Sequence, residues 1–510
     1  MSEATGRRAG LLVAVATALT LGALAFVAWG PFPVGADDWQ WFRVARPAWD
    51  AAAPALVVWA AIGFLVFAGR REAAKASRLW QGLLLASIVV LAFIAQLAAA
   101  RQLPGGYTES IIALGKPGAN RYHQAAREIG RLGPVLRDYP QWMRGPHKLI
   151  VTHPAGPLTL FWSLNHVFAG HEQAAKRFVG WCEDVLASGV HVKAPEEASG
   201  ELFRTMSYAD LAGAWLASFV LRLVAALAAL PAYAMARRLY GREAAFTAAG
   251  LVAATPSLLL FSPGLDQLFP AIAATACWLG WTAGERRSVG RAGLTGLAIS
   301  AGLFFSLSFV VVAGWAALLA VAGLSRGAAR PSGRDLAKLL AGGCVGLLVP
   351  AAALYLALGY DSFAVWRQCV AANAKFNAQS GRAYWTWALI DPVEYLVFLG
   401  IPAACLLVSR VASEVGRLPR RWVREADWPS LIVAGLLVVL NVAGVNRGEV
   451  GRLWMFLMPA CAVAAAHEVE RAAPFRRIVF ASLFALQVLQ VTVFRALLDV
   501  LLGMYRGLGG

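Results

Sequence analysis

The chain has 510 residues, of which 59% are hydrophobic and 15% are charged, and its mean hydropathy is +0.59. A soluble domain is closer to half apolar and a quarter charged, so this composition excludes an ordinary soluble protein. The net charge of +17 would indicate nucleic-acid binding in a soluble protein. Here most Lys and Arg residues lie in short loops between apolar runs, where they set membrane orientation, and no nucleic-acid partner is expected.

The apolar runs are long enough to cross the ~30 Å hydrocarbon core of a membrane as helices. The first run follows Arg7 and Arg8 and is too long for the core of a signal peptide, so we expect an uncleaved signal anchor. The predicted fold class is an all-α polytopic membrane protein with about 13 transmembrane helices. Their expected positions are 9–30, 52–69, 80–100, 208–234, 243–262, 267–283, 291–307, 309–325, 336–357, 393–409, 428–445, 453–467 and 477–498.

Lys and Arg residues are concentrated in alternate loops. With the N terminus in the cytoplasm, the cytoplasmic loops carry 24 Lys and Arg residues, from Arg7 to Arg477, whereas the short outer loops carry 7. By the positive-inside rule this bias predicts the orientation, and it leaves two large segments outside, 101–207 and 358–392. Because the large segments lie outside, we expect the functional site on the outer face. The abundance of Ala, Arg and Gly is typical of a GC-rich bacterial gene, so we expect the membrane to be the cytoplasmic membrane and this face to be periplasmic.

The first large outer segment contains two short amphipathic or apolar patterns. The stretch NRYHQAAREIGRL (120–132) has apolar residues at helical spacing. The stretch GPLTLFWSLNHVF (156–168) is too short to span the bilayer and predicts an interfacial or re-entrant helix. His153-Pro154 would begin that helix, with proline in the first turn. His153 would then lie beside a partially positive helix N-terminus, where a lipid-linked phosphate can bind, or would simply cap the helix.

Isolated carboxylates on the outer side are candidate proton acceptors. Glu109 follows the third span and Asp138 lies in VLRDYPQW, both among many basic residues, so each is either a general base or a surface charge. Asp266 in FSPGLDQLFP (261–270) is a functional candidate because carboxylates at membrane depth are costly, although it could equally be a helix N-cap. Asp37 and Asp38 in ADDW form another outer acidic pair.

Basic residues mark a second outer stretch, NVAGVNRGEVGRLW (441–454). Arg447 and Arg452 lie at its membrane edge, where a guanidinium can bind a phosphate through two hydrogen bonds. The alternatives are snorkelling to the headgroups or pairing with Glu449. No nucleotide-binding loop, metalloprotease, nucleophile-elbow or dinucleotide motif occurs in a suitable context. No metal ligand spacing is present either, so no metal or cofactor is expected, and use of a divalent cation stays open.

Five stretches follow one another with a consistent order and sidedness between about residue 80 and about residue 470. They are NRYHQAA (120–126), THPAGPLTLFWSL (152–164), MARRLYGREAAF (235–246), FSPGLDQLF (261–269) and NRGEVGRLWMFLMP (446–459). Together they resemble motifs of the GT-C superfamily of integral-membrane glycosyltransferases, which includes protein-mannosyltransferase-like and aminoarabinose-transferase-like bacterial enzymes. The second stretch is similar to the family's His-Pro-Pro helix start, and the fourth to its Ser-Pro…Asp hairpin.

The resemblance divides the chain into three parts. Residues 1–79 would be a two-span N-terminal addition, and residues 80–470 a GT-C-like membrane core that includes the outer loops 101–207 and 358–392. Residues 471–510 would form the final span and a short tail.

The resemblance implies sugar transfer, with retention or inversion, from a polyprenyl-phosphate sugar to a lipid, glycan or protein acceptor. It also implies that an acid of the first large loop is the general base or orients the acceptor, which indicates Glu109 or Asp138. Basic residues near the membrane would hold the donor phosphate, and Asp266 would organise the site. The residues expected to bind donor phosphate or substrate are Tyr122, His123, His153, Asp266, Arg447 and Arg452.

One departure from the family pattern leaves the catalytic acid open. Many members carry an acid just before the aromatic residue of the first motif, whereas this chain reads GANRYH (118–123). Either Glu109 or Asp138 has taken that role, or Asp37 and Asp38 are the alternative catalytic pair, or the chain is not an active transferase.

Two other classes of function are compatible with the sequence. A transporter or lipid flippase would carry broken helices in two related halves and charges near mid-membrane. A non-catalytic subunit of an envelope-glycan assembly complex would explain the missing acid. We see no internal repeat, and the acids cluster outside the spans, so we favour the glycosyltransferase interpretation.

Overall fold

The computed structural model describes most of the chain. The described residues are 2–36, 39–44, 47–72, 77–103, 106–115, 121–145, 150–187, 206–326, 331–417 and 426–500. Asp37 and Asp38, the alternative catalytic pair, lie outside them.

The described residues fold almost entirely into helices. In chain order the elements are α1 (Ser2–Trp29), β1 (Val34–Ala36), β2 (Trp39–Arg43), α2 (Ala52–Glu72), α3 (Arg78–Ala100), α4 (Gly106–Gly115), α5 (Arg121–Glu128), α6 (Leu132–Arg137), α7 (Tyr139–Trp142), α8 (Gly156–His166), α9 (Glu172–Cys182), α10 (Tyr208–Leu227), α11 (Ala229–Tyr240), α12 (Arg242–Ala253), α13 (Pro256–Leu260), α14 (Phe269–Arg286), α15 (Val289–Phe305), α16 (Phe309–Arg326), α17 (Gly333–Leu358), α18 (Ser362–Gln379), α19 (Tyr384–Leu399), α20 (Ile401–Val415), α21 (Trp428–Ala443), α22 (Val450–Leu453), α23 (Met458–Arg471), α24 (Arg476–Leu497) and β3 (Leu498–Asp499). Short 3₁₀ turns cover Ile150–Thr152, Leu265–Leu268 and Met455–Leu457, and a π turn covers Glu183–Ala187.

The prediction of an all-α chain is confirmed, and the chain contains apolar helices that could span a membrane. Within the described ranges, 8 helices are long and apolar enough to cross a membrane, and a bent pair, α19 with α20, would make a ninth. The eight are Thr5–Trp29, Ala52–Glu72, Arg78–Ala100, Tyr208–Tyr240, Arg242–Leu260, Phe309–Arg326, Gly333–Leu358 and Arg476–Leu497. The larger number of spans stays a prediction.

A sharp break interrupts the predicted span 393–409. Helices α19 and α20 meet at Gly400 at an angle of 112°, and the φ of Gly400 is 103°, a conformation that favours glycine. The break frees backbone groups that two buried glutamines of α24 satisfy. Gln490 Oε1 accepts from Ile401 N at 2.8 Å, and Gln487 Nε2 donates to Leu399 O at 3.0 Å. Such internal partners allow a broken helix inside a membrane protein.

A small three-stranded sheet lies beside the helices. Strand β2 pairs antiparallel with both neighbours, so that Ala36 faces Trp39 and Phe42 faces Asp499. The indole of Trp39 is buried and stacks on Phe261 with ring centroids 6.3 Å apart. Strands β1 and β2 are therefore attached to the hairpin that precedes α14.

The segments predicted to be cytoplasmic meet at one end of the bundle. Ion pairs connect them, namely Arg8–Glu468, Arg70–Glu470, Arg238–Glu285, Arg287–Asp335 and Arg476–Glu243. We refer to this region as the ionic end. These contacts join loops that the charge pattern had assigned to one side.

A buried carboxylate organises part of the ionic end. Asp427 Oδ2 lies 2.6 Å from Arg410 Nη2 and accepts from the Ser430 hydroxyl at 2.7 Å. Tyr240 donates its hydroxyl to Asp427 Oδ1 at 2.6 Å, and His467 Nδ1 lies 3.3 Å from Oδ2. The donors satisfy the buried charge, as a low-dielectric setting requires.

The short helices α4 to α9 lie in the large segment between α3 and α10, and the two predicted loop helices correspond to α5 and α8. Helix α8 begins at Gly156 with Pro157 in its first turn. His153-Pro154 therefore leads into the helix, and the proline of its first turn is Pro157 rather than Pro154. His153 lies just after the 3₁₀ turn Ile150–Thr152.

Glycines let α15 and α17 approach closely. A Cβ at Gly346 would lie 1.9 Å from the Gly293 carbonyl oxygen, and one at Gly296 would lie 2.1 Å from that of Gly343. Small residues at such contacts are a common basis for helix association in membranes.

We predict that Gly346→Ala lowers the free energy of unfolding by about 2 kcal/mol, because the methyl group overlaps backbone that cannot move cheaply. Gly314→Ala is the matched control, since nothing lies within 4 Å of a Cβ there. Both changes gain the same helix propensity of about 1 kcal/mol. Thermal unfolding in detergent measures the difference, and equal midpoints for the two variants would contradict the packing.

Candidate functional site

An arginine bridges two carboxylates from distant parts of the chain. Arg452 Nε lies 3.3 Å from Asp266 Oδ2, and its Nη2 lies 2.6 Å from Glu449 Oε2. Asp266 is on the 3₁₀ turn before α14, whereas Arg452 is in α22. We call Asp266, Glu449, Arg452 and Arg382 the charge cluster.

The turn that carries Asp266 is held by its neighbour, Gln267. The buried amide of Gln267 donates to Gln96 Oε1 at 2.9 Å and to Leu258 O at 2.8 Å. Gln96 in turn donates to Arg222 O at 3.0 Å. These bonds connect the turn to α3 and α10, so the position of Asp266 is set by three helices.

Two acids of α19 hold the backbone on either side of Glu449. Asp391 Oδ1 accepts from Gly448 N at 2.9 Å, and Glu394 Oε1 accepts from Gly451 N at 2.9 Å. Glu449 itself has a φ of 61°, an uncommon conformation for a residue with a side chain. The two acids therefore act through the backbone to position Glu449 and Arg452.

Arg382 completes the charge cluster. Its guanidinium is buried, lies 2.9 Å from Glu449 Oε1 and also donates to the Arg447 carbonyl. Arg447 returns a hydrogen bond to the Arg382 carbonyl at 2.8 Å. Glu449 is thus shared by two arginines, and the two carboxylates and two guanidiniums balance in charge.

Tyr122 and His153 lie next to the charge cluster. Their ring centroids are 5.7 Å apart in an edge-on arrangement. Burial raises the pKa of the Tyr122 hydroxyl well above its ordinary value, and the nearby Asp266 carboxylate adds to the effect while Arg452 opposes it. The phenol is therefore close enough to both charged groups to interact with them. Tyr122 therefore contacts His153 and lies within electrostatic reach of Asp266 and Arg452.

The segment that carries His153 is fixed from two sides. His153 Nδ1 lies 2.8 Å from the Thr152 hydroxyl, and Asn373 of α18 donates to Thr152 O at 3.2 Å. The buried Tyr139 hydroxyl donates to Pro154 O at 3.3 Å. Ala155 N donates to the Tyr360 hydroxyl at 3.2 Å. These hydrogen bonds fix the backbone on both sides of His153 and orient its imidazole ring.

The electrostatics of Asp266 suit proton transfer. Desolvation raises the pKa of its carboxyl, the Arg452 guanidinium lowers it, and Glu449 raises it again, with a net rise. A carboxylate with a raised pKa takes up a proton more readily near neutral pH. Asp266 was predicted either as a site residue or as a helix cap, and the capping bond at this turn is made by Gln267, whose Oε1 accepts from Gly264 N at 3.2 Å, rather than by Asp266.

The other predicted site residues occupy different surroundings. Glu109 is in the first turn of α4, is mostly buried and interacts electrostatically with the buried Arg495. Asp138 is exposed where α6 meets α7. Arg447 lines an open cavity beside α18. That these three residues share one site with Asp266 stays a prediction.

His123 lies in the interior, packed between helices. Its Nε2 is 3.3 Å from Asp210 O, and its ring meets Phe161 edge-on at 5.9 Å. Burial lowers the pKa of His123 to about 4, which the Asp210 carboxylate only partly offsets. Its neighbour Tyr122 is the residue of this pair that lies beside the charge cluster.

Sequence reasoning missed Arg382, Asp391 and Glu394. The signal was present, because WALIDPVEY (387–395) places two acids within an apolar helix, and ionisable residues there are functional candidates by default. Arg382 had been counted only as an outer positive charge. Nothing in its local sequence indicates that Glu449 would reach it.

No protein-family model matches this chain, and no curated protein matches it. Within the described part of the chain, no three His, Cys, Asp or Glu side chains are close enough to hold a metal ion. The function is therefore argued from the charge cluster and its neighbours.

We predict unequal stability effects for substitutions of the two acids of the cluster. Glu449→Gln should lower the free energy of unfolding by about 3 kcal/mol, because it leaves the buried Arg382 without its carboxylate. Asp266→Asn should leave the unfolding midpoint unchanged or raise it, since Arg452 keeps Glu449 and an unfavourable buried charge is removed. Thermal unfolding of both variants in detergent tests this, and an equal loss in both would count against the shared role of Glu449.

We predict that His123 makes the outer segment sensitive to acid. Between pH 6.5 and about 4 the unfolded chain binds more protons at this residue than the folded protein, so the free energy of unfolding falls as the pH falls. The loss attributable to His123 is about 3 kcal/mol across that range. His123→Gln should flatten this part of the pH profile, whereas the exposed His166→Gln should not. Identical profiles for both variants and the wild type would contradict the prediction.

Proposed function

We propose that this protein is a GT-C-type glycosyltransferase that moves a sugar from a polyprenyl-phosphate donor to an acceptor at the outer face of the cytoplasmic membrane. The observation that carries the proposal is the grouping of Tyr122, His153, Asp266 and Arg452. These residues come from four separate segments, and all four had been selected from the sequence as donor or substrate contacts. The four residues lie in four of the five motifs that resemble the GT-C superfamily.

The proposed topology has a cytoplasmic N terminus, about 13 spans and the 101–207 segment outside. Contacts among the predicted cytoplasmic loops at the ionic end support this sidedness, because ion pairs join loops that the charge bias assigns to one face. The short helices α4 to α9 lie between α3 and α10, and α5 contributes Tyr122. A donor that carries its sugar outside the cytoplasm requires a site on that side.

In the proposed reaction, an acceptor hydroxyl attacks the anomeric carbon and the bond from that carbon to the donor phosphate oxygen breaks. The hydroxyl proton passes to a carboxylate, and polyprenyl phosphate leaves with the electron pair. Asp266 is the favoured proton acceptor, because it lies beside Arg452 and its pKa is raised. Glu109 and Asp138 remain the alternatives that the family pattern indicates.

Arg452 is the proposed partner of the donor phosphate. A guanidinium can hold two phosphate oxygens at once. In the free protein it is balanced by Asp266 and Glu449, so a bound phosphate must compete with one of them. The phosphate can replace Glu449 at Arg452, because Glu449 would still pair with Arg382 at 2.9 Å. Binding of the donor would then leave Asp266 less neutralised and a better base.

The direct test uses purified protein in lipid with a panel of radiolabelled polyprenyl-phosphate sugars and an envelope-lipid acceptor extract. We predict turnover of one donor. Asp266→Asn should reduce transfer by about 100-fold or more, and Arg452→Ala should chiefly raise the KM for the donor. Glu172→Gln, which removes an exposed carboxylate paired with Lys176, is the matched control and should transfer normally.

The outcomes separate the alternatives. Loss of transfer in Glu109→Ala or Asp138→Ala, with Asp266→Asn active, would move the base to that residue and refute Asp266 as the proton acceptor. Failure of the folded protein to use any donor, with a competent acceptor extract, would refute the enzyme proposal and favour a non-catalytic subunit or a transporter.

A lipid flippase is the second candidate, because one specific observation favours it. The break at Gly400 interrupts an apolar helix, and the same helix carries the buried acids Asp391 and Glu394. Broken helices with nearby charges are typical of transporter binding sites. Liposomes containing the protein and a fluorescent polyprenyl-phosphate sugar distinguish the two. A flippase moves the intact lipid between leaflets, whereas a transferase consumes it in the presence of acceptor.

A further inference from the structure

An open cavity lies between α18 and the segment before α22. Its volume is about 490 Å³, and we call it the arginine cavity. It is lined by Ala374, Asn377, Ala378, Gly381, Arg382 and Arg447. Asn377 donates to Val445 O at 2.7 Å, which connects α18 to the segment before α22.

One of the two arginines of the arginine cavity has no carboxylate partner among the described residues. Arg382 pairs with Glu449. Arg447 Nε and Nη1 donate only to the carbonyls of Gly444 and Arg382, at 3.2 and 2.8 Å. In the described part of the chain, Arg447 forms no ion pair, and its Nη2 has no hydrogen-bond partner. A cavity with one unbalanced guanidinium suits an anionic group.

Aromatic rings lie next to Arg447. Arg447 lies over the ring of Tyr384, 5.8 Å from its centroid. The neighbouring Trp385 is 77% exposed and contacts Tyr384 edge-on at 5.0 Å. Large exposed aromatic side chains beside a charged cavity offer apolar surface for a sugar ring or a lipid glycerol.

A short chain of contacts connects the arginine cavity to the charge cluster. Arg382 lines the cavity and pairs with Glu449, which pairs with Arg452, which in turn pairs with Asp266. Helix α18 takes part on both sides, since Asn377 faces the cavity and Asn373 bonds Thr152 beside His153. A ligand in the cavity is therefore adjacent to the proposed donor site without occupying it.

We propose that the arginine cavity binds the anionic group of the acceptor, a phosphate or a carboxylate, with Arg447 as its direct contact. The identification of the ligand as the acceptor rests on the proposed glycosyltransferase function. The anionic site itself rests on the cavity and on the unbalanced charge of Arg447. The bound anion would then interact with Arg382 and, through the ion pairs of Arg382 with Glu449 and of Glu449 with Arg452, affect the charge cluster.

The test measures the affinity of glycerol phosphate for the full chain in phosphatidylcholine nanodiscs, by calorimetry and without a donor. Arg447→Gln should raise the Kd about tenfold or more, because it removes a charge-assisted contact. Arg367→Gln is the matched control, since Arg367 is exposed on α18 and does not line the cavity. It should change the Kd less than about twofold.

A second pair of variants keeps the test independent of the bonds that Arg447 makes to the backbone. Ala378 lines the cavity and is exposed, so a longer side chain fits there. Ala378→Glu should weaken binding of glycerol phosphate about tenfold by charge repulsion, whereas the uncharged Ala378→Gln should not. Wild-type affinity in both Arg447→Gln and Ala378→Glu, or no detectable binding to the wild type, would overturn the proposal.

Two further arms identify the source of the anion and separate this proposal from the enzymatic one. Nanodiscs containing phosphatidylglycerol should compete with the probe if the acceptor is a lipid, and unchanged affinity would indicate a water-soluble acceptor. Asp266→Asn should leave the affinity for glycerol phosphate unchanged. If the wild type binds glycerol phosphate but transfers no sugar, the enzymatic proposal is refuted and the anionic site is not.

Discussion

The arrangement of the candidate site depends on Arg452 and the two carboxylates that it joins. Charged groups taken out of water are tolerated only when they are paired and hydrogen-bonded. Asp266 and Arg452 form an ion pair across two separate segments, and Glu449, which accepts hydrogen bonds from Arg452 and from the buried Arg382, extends the pairing. Asp391 and Glu394 then fix the backbone around Glu449, so the 3₁₀ turn Leu265–Leu268, α19 and α22 are connected through charged side chains.

The same requirement explains why the cluster suits a charged substrate. Arg452 has two carboxylate partners, one of which has a second arginine, so a phosphate can replace a partner without leaving a buried charge alone. The nearby Tyr122 and His153 are held by contacts to the rest of the fold rather than by the cluster. The ionic end shows the contrasting case, because Asp427 is surrounded by donors and leaves little room for a ligand.

Much of the fold and part of the candidate site could be predicted from the sequence. Long apolar runs predict helices because nothing else satisfies the backbone in lipid, and Asp266 and Arg452 were identified because charges next to such runs are costly. The Gly400 break was missed, since its support comes from Gln487 and Gln490 far along the chain. The partnership of Arg382 with Glu449 was missed for the same reason, as it depends on how α19 and α22 pack.

The central claim is that Tyr122, His153, Asp266 and Arg452 surround the donor, and photocrosslinking tests it most directly. The purified protein in lipid would be illuminated with a photoreactive polyprenyl-phosphate sugar, and the labelled peptides identified by mass spectrometry. The account predicts label in the segments 121–128, 150–155, 262–268 and 449–455, and its loss on competition with unmodified donor. Label confined to the ionic end, around Asp427, would contradict it.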